Sequence, residues 1–164
     1  MDINLHTLIL EAFDSNNISH LKLMKDLLKE KKIIHTLDRK NNSDPFNIPY
    51  IILLNNKMIG YMYLLQNKND EVLLEYAILQ NQNKKKYHEI LLREVTDYLS
   101  NFEDIKRFNI NVDLSNLKKL RTTLECGYDP DYEDYENKNY PGKMILRRKN
   151  PNYIQEGEEN EWNQ

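Results

Sequence analysis

Three consecutive lysines, Lys84-Lys85-Lys86, separate an apolar run ending at Leu79 from an amphipathic run that starts at Tyr87. The order reads as strand, polar turn, helix. A helix that opens directly after a short turn aims several unpaired backbone N–H groups and the positive end of its dipole at one point, which is how an anion is held. The same lysines also read as a solvated basic turn. Upstream, Glu75 lies on the strand that feeds the turn. A carboxylate there can act as a general base, directly or through water, or simply face solvent.

Other groups that could do chemistry are sparser. The four histidines, at 6, 20, 35 and 88, show no paired spacing with carboxylates, so no metal site is expected. The single Cys126 excludes an internal disulfide and a cysteine metal cluster, and reads as a core thiol. From Asp129 to Glu136 the chain carries five carboxylates. They would draw a cationic ligand, and a soluble, charged hairpin accounts for them equally well.

The elements that must position these residues follow from periodicity. Residues 4–13 read as a strand. Cap-type side chains at Asp14 to Asn17 precede Ile18, Leu21, Met24 and Leu28 at helical spacing, and this helix should run to about Glu30. The polar stretch 35–49, with two prolines, reads as a loop, with a short helix around 33–40 as the alternative for its start. Three strands then follow with tight turns: Tyr50–Leu54, Met58–Leu65 and Glu71–Leu79. Asn55-Asn56-Lys57 is a hairpin turn, and Gly60 marks a bulge or a close backbone approach. The helix after the lysines buries Leu91, Val95, Tyr98 and Leu99. Residues 107–113 alternate as a half-buried strand should. Ser115 or Asn116 caps a helix carrying Leu117, Leu120 and Leu124, with Gly127 past its end. Lys143–Arg148 is a last strand. The acidic tail 150–164 is expected to be disordered.

One α+β domain over residues 1–149 is the result: a mixed, mostly antiparallel sheet of 6–7 strands with helices on both faces. The step from Glu71–Leu79 to 107–113 is a strand–helix–strand crossover and should be parallel. At 164 residues, 40% hydrophobic and 30% charged, the composition is that of a globular domain. A net charge of −3 and the lack of a basic face argue against nucleic acid, and no apolar run approaches the length of a membrane span. The default is a reduced, cytoplasmic protein, and a homodimer is compatible with it.

This order, with its local sequence, resembles the GNAT superfamily of N-acetyltransferases over roughly residues 4–149. Asn55-Asn-Lys-Met-Ile-Gly-Tyr61 is similar to the family's second hairpin, Leu74–Leu79 to its fourth strand, and Asn116 with Gly127-Tyr128 to the ending of its last helix. Tyr132–Asp134 and Met144–Leu146 fit its closing hairpin. The resemblance implies acetyl-CoA as co-substrate and an amine acceptor, small molecule or protein. It places coenzyme contacts at Asn83, Lys84, Lys85, Lys86, Tyr87 and His88 for the pyrophosphate and at Asn116 for the pantetheine arm. It makes Ile78 or Leu79 the backbone donor to the thioester carbonyl, and Glu75 the general base. Two departures stand out. Lys86 and His88 occupy the loop's glycine positions, and Thr123 stands where a tyrosine commonly serves as acid. Two readings follow: an acyl-CoA-dependent N-acyltransferase working by direct attack in a ternary complex, or a GNAT-fold binding module that has lost catalysis.

Overall fold

The computed structural model describes residues 2–32, 44–68, 70–130 and 142–154. Eight strands and three helices occur in the order β1 (Ile3–Asn4), β2 (Leu8–Ala12), α1 (Ile18–Lys29), β3 (Pro49–Leu54), β4 (Lys57–Lys68), β5 (Glu71–Ile78), α2 (Lys85–Leu99), β6 (Arg107–Asp113), α3 (Leu117–Glu125), β7 (Asp129–Pro130) and β8 (Lys143–Lys149). A single 3₁₀ turn, Gln80–Gln82, links β5 to α2. All strands form one sheet in the order β1-β2-β3-β4-β5-β6-β8-β7, antiparallel except for the β5–β6 pair.

The eight strands of the described residues exceed the 6–7 expected, because the single strand expected over 4–13 is two, Ile3–Asn4 and Leu8–Ala12. A tight turn follows β1, with the Leu5 N–H donating to Leu8 O, and the Glu94 carboxylate of α2 accepts from the Thr7 and Leu8 N–H groups. That partner lies 86 residues or more away, so no local pattern signals the break. The short helix considered for 33–40 and most of the acidic segment from 131 lie outside the described residues. So does the tail beyond Ile154. Its first residues are described, and there Asn150 is buried: its side-chain amide donates to Phe102 O and Ile105 O, while the Ile154 N–H donates to Glu103 O.

The sheet has helices on both faces because the strands alternate. On one face, Ile51, Tyr61 and Tyr63 pack with Phe13 and with Leu23, Met24 and Leu27 of α1. On the other, Ile52, Met62, Leu64, Leu74, Tyr76 and Ile78 pack with Leu91, Leu92, Val95 and Leu99 of α2. Inverting the register of any central strand would exchange the two sets, so pleat period and burial fix it together. The β3–β4 turn is a two-residue hairpin, with Asn55 at φ 51° and Asn56 at φ 63°, the left-handed pair that asparagine tolerates best after glycine. Gly60 is required by proximity: a β-carbon there would stand 2.2 Å from Ala77 O on β5. The ladder to β3 also shifts register beside it, between Ile52 and Leu53.

Candidate functional site

The site begins where β5 and β6 part. The two strands pair from Glu71 to Leu74 against Arg107 to Ile110, and no further. Beyond Leu74, β5 continues to Ile78 and β6 to Asp113 without a shared ladder, while β6 goes on pairing with β8 along its whole length. A cavity of about 370 Å³ fills the gap. Its lining includes Glu75, Tyr76 and Ile78 of β5, Lys119 of α3, and two lysines from distant parts of the chain, Lys32 and Lys143.

Polar groups along this edge have different fates. The Leu79 N–H donates to Ile59 O at 2.9 Å, toward β4. Amide directions alternate along a strand, so the Ile78 N–H faces the edge that β6 has left. The Ile78 carbonyl accepts from the Lys32 ammonium. Glu75, half-buried, lies across from Tyr63 on β4 and within electrostatic reach of Lys119. Its charge adds to burial in raising the Tyr63 hydroxyl.

A second cavity, about 740 Å³, adjoins the first between the start of α2 and α3 and shares Asn83, His88 and Lys118 with it. Its walls include Leu117, Leu124 and Arg121, and Leu117 is 70% exposed. The helix start beside it is bare. Lys84 occupies the cap position without a side-chain cap bond, and no acidic residue lies in the first turn. The Lys84 N–H donates to Gln82 O and the Tyr87 N–H to Lys84 O, which leaves the N–H groups of Lys85 and Lys86 as the donors of this turn. All three lysine side chains are exposed, and Lys85 bridges to Glu125 of α3 at 3.1 Å. Positions 86 and 88 have no positive φ, so the backbone itself does not require glycine at either.

His88 behaves differently from its lysine neighbours. Its ring turns inward, between Tyr76, whose hydroxyl lies 3.2 Å from Nδ1, and Asn83, whose Oδ1 accepts from Nε2. A neutral ring with its proton on Nε2 satisfies both contacts. Burial, with Lys119 and Lys32 nearby, lowers His88 to about 4. The ring thus stands, uncharged at neutral pH, where the two cavities meet.

The remaining expected residues divide. Asn116 is the α3 cap, accepting from the Lys119 N–H at 3.2 Å, and it also lines the first cavity. Thr123 is fully buried and its hydroxyl donates to Lys119 O at 2.6 Å, so it is committed to its own helix. Cys126 is buried and free. Among the described residues no group of His, Cys, Asp or Glu could hold a metal ion. Sequence reasoning missed Lys32, Lys119 and Lys143. The one local signal was that Lys119 lies a helical turn before Thr123 and hence on the same face.

The fold is that of the GNAT N-acetyltransferases. No family model and no curated protein matches the sequence. Solved structures do match in shape. A ribosomal L7/L12 alpha-N-protein acetyltransferase, RimL, in complex with coenzyme A superposes with a TM-score of 0.70 at 16% identity, over 93% of this chain and 99% of that one. The spermidine N-acetyltransferase of Vibrio cholerae, in complex with CoA and spermine, gives 0.66 at 14% identity over 91% and 99%. The Campylobacter jejuni N-acetyltransferase PseH, in complex with acetyl coenzyme A, gives 0.58 at 14% over 87% and 98%.

Proposed function

We propose that the protein is an acyl-CoA-dependent N-acyltransferase acting on an amine. The observation that carries this is the parting of β5 from β6 beside an uncapped helix start, which puts an inward-facing backbone donor, a carboxylate and an anion site along one continuous pair of cavities. Coenzyme A fits that donor set. The N–H groups of Lys85 and Lys86, reinforced by the lysine charges, would hold the pyrophosphate. The exposed Leu117 and Leu124 beside Arg121 would take the nucleotide end, and the gap between the strands the thioester end.

The work of the chain's own residues follows. The Ile78 N–H would meet the acyl oxygen, where negative charge grows as the amine attacks; a fixed donor there is worth roughly 10²–10³-fold in rate in comparable sites. Leu79 drops out of that role because its N–H is already bonded. Glu75 would accept the amine's proton. The co-substrate is acetyl-CoA or a near relative, and similar folds serve protein and polyamine acceptors. Among the described residues the cleft presents lysines at 31, 32, 118, 119 and 143 against Glu75 and Asp113. That balance disfavours a polycation, while the carboxylates at 131–136 favour one if they lie where the resemblance puts them, beside the entry for acceptors.

The competing binding-module reading draws on two observations, the inward His88 ring and the buried Thr123. Calorimetry separates the two. Acetyl-CoA titrated into the protein should bind at micromolar to millimolar strength, with thiol release on adding an amine. Absence of heat at several millimolar would remove the transferase reading. Binding with no thiol release across a panel of amines would favour the module.

A further inference from the structure

We propose that Lys119 is the acid that protonates the leaving thiolate, a role that rests on the transferase reading above. When an amine displaces a thiol from a thioester, the sulfur departs with the bonding electron pair and needs a proton. The position where the resemblance puts an acid holds Thr123, whose hydroxyl is spent on Lys119 O. The Tyr128 hydroxyl is buried against Thr96 Oγ1 at 2.6 Å. The Tyr76 hydroxyl is held above its usual range by burial and engaged with His88. His88 itself, lowered to about 4, carries no spare proton at neutral pH.

Lys119 is placed for the task. It reaches the cleft from α3, and its ammonium lies 4.5 Å from the centre of the Tyr76 ring, on the stretch of β5 that has left β6. Around it stand Glu75 and Tyr76 from β5, His88 from α2, Lys32 from the segment after α1, and Lys143 from the start of β8, with Asp113 of β6 beside Lys143. Burial outweighs the attraction of Glu75 and, together with Lys143 and Lys32, brings the Lys119 ammonium down to about 8. A cysteine thiol in a peptide titrates at about 8.5 and an ordinary alkyl thiol higher, so a departing thiolate takes the proton from such an ammonium without an uphill step, the condition for an efficient general acid.

The step closes without another reactant. The amine nitrogen bonds the acyl carbon as the carbon–sulfur bond breaks, and sulfur takes a proton from Lys119 Nζ. Glu75 takes the proton that the amine gives up and returns it to Lys119 through water.

Three measurements test this on the full chain. In the free protein, the Lys119 side chain, assigned with Lys119→Arg, should titrate by NMR near pH 8; a midpoint like that of an exposed lysine overturns the proposal. Calorimetry should show Lys119→Met and Lys119→Arg binding acetyl-CoA as the wild type does. A wild type that does not bind removes the transferase reading itself. Thiol release from acetyl-CoA, with spermidine as probe amine and with water alone, should fall about 10²-fold in kcat for both variants at unchanged KM, with loss of the alkaline limb near pH 8. Undiminished release by the variants overturns the role of Lys119 alone, whereas a wild type that binds and releases no thiol removes the transferase reading in favour of the binding module.

Discussion

Strand β5 is two different structures end to end. From Glu71 to Leu74 it is paired on both edges, and Glu71, only 7% exposed, meets Arg107 of β6 at 2.9 Å and Arg147 of β8 at 3.5 Å. From Glu75 to Ile78 it keeps β4 and loses β6, and its carboxylate faces a gap edged by lysines. Two glutamates four residues apart therefore have opposite physics. One is an internal tie whose charge is matched; the other sits where a substrate can reach it. The sheet uses its first half to be stable and its second half to be open.

The contrast is sharpest at the tie. Glu71→Gln takes a buried carboxylate charge away from two partly buried guanidiniums, so it should cost about 3 kcal/mol in urea melts and leave acetyl-CoA affinity per folded molecule unchanged. Glu75→Gln should do the reverse, lowering kcat by about 10²-fold with a smaller loss of stability than Glu71→Gln; equal loss of stability in both variants would erase the distinction. Gly60→Ala tests the edge that both halves share. Its β-carbon must push against Ala77 O, and a destabilisation of about 1–3 kcal/mol is expected by thermal unfolding.

His88 adds a pH dependence confined to the open half. Its folded value, about 4, lies below the unfolded value of about 6.5, so between these limits the unfolded chain binds the extra proton. Stability from this group is complete above pH 6.5 and is lost as pH falls toward 4. His88→Gln should flatten that part of the stability–pH curve, measured by denaturant midpoints. The smallest effects concern caps. Asn17 accepts from the Ser19 and His20 N–H groups, so Asn17→Ala should cost about 1 kcal/mol. Lys84→Ser at the bare start of α2 should instead stabilise the free protein slightly while weakening acetyl-CoA binding.

How much of this the residues announced depends on how local the cause is. A cap within Asp14 to Asn17, a cap at Ser115 or Asn116, Gly127 beyond α3 at φ 88° and the Asn55-Asn56 turn are set by neighbours in sequence, and the structure has them, with Asn17 and Asn116 as the caps, along with the parallel crossover. Gly60 was legible as a special position, though only the fold reveals that Ala77 is its reason. The site was half-legible. Glu75, Asn83, His88 and Asn116 do gather at the cleft. Lys32, Lys119 and Lys143 escaped because surface lysines look alike in sequence, and only tertiary packing turns one inward. The role of His88 also changed in kind: it was read for its backbone, yet its ring is what occupies the junction.

The clasp at Asn150 has a mechanical consequence. Its backbone N–H donates to Lys106 O and its side chain to Phe102 O and Ile105 O, while the Lys106 N–H donates to Asp70 O. These bonds bind together the roots of β5, β6 and β8, at the narrow end of the wedge. A wedge pinned at its root widens by rotation, so displacement grows with distance along the arms. The final described turn of the chain therefore lines no part of the cleft, yet it fastens the closed end from which the cleft's two walls diverge.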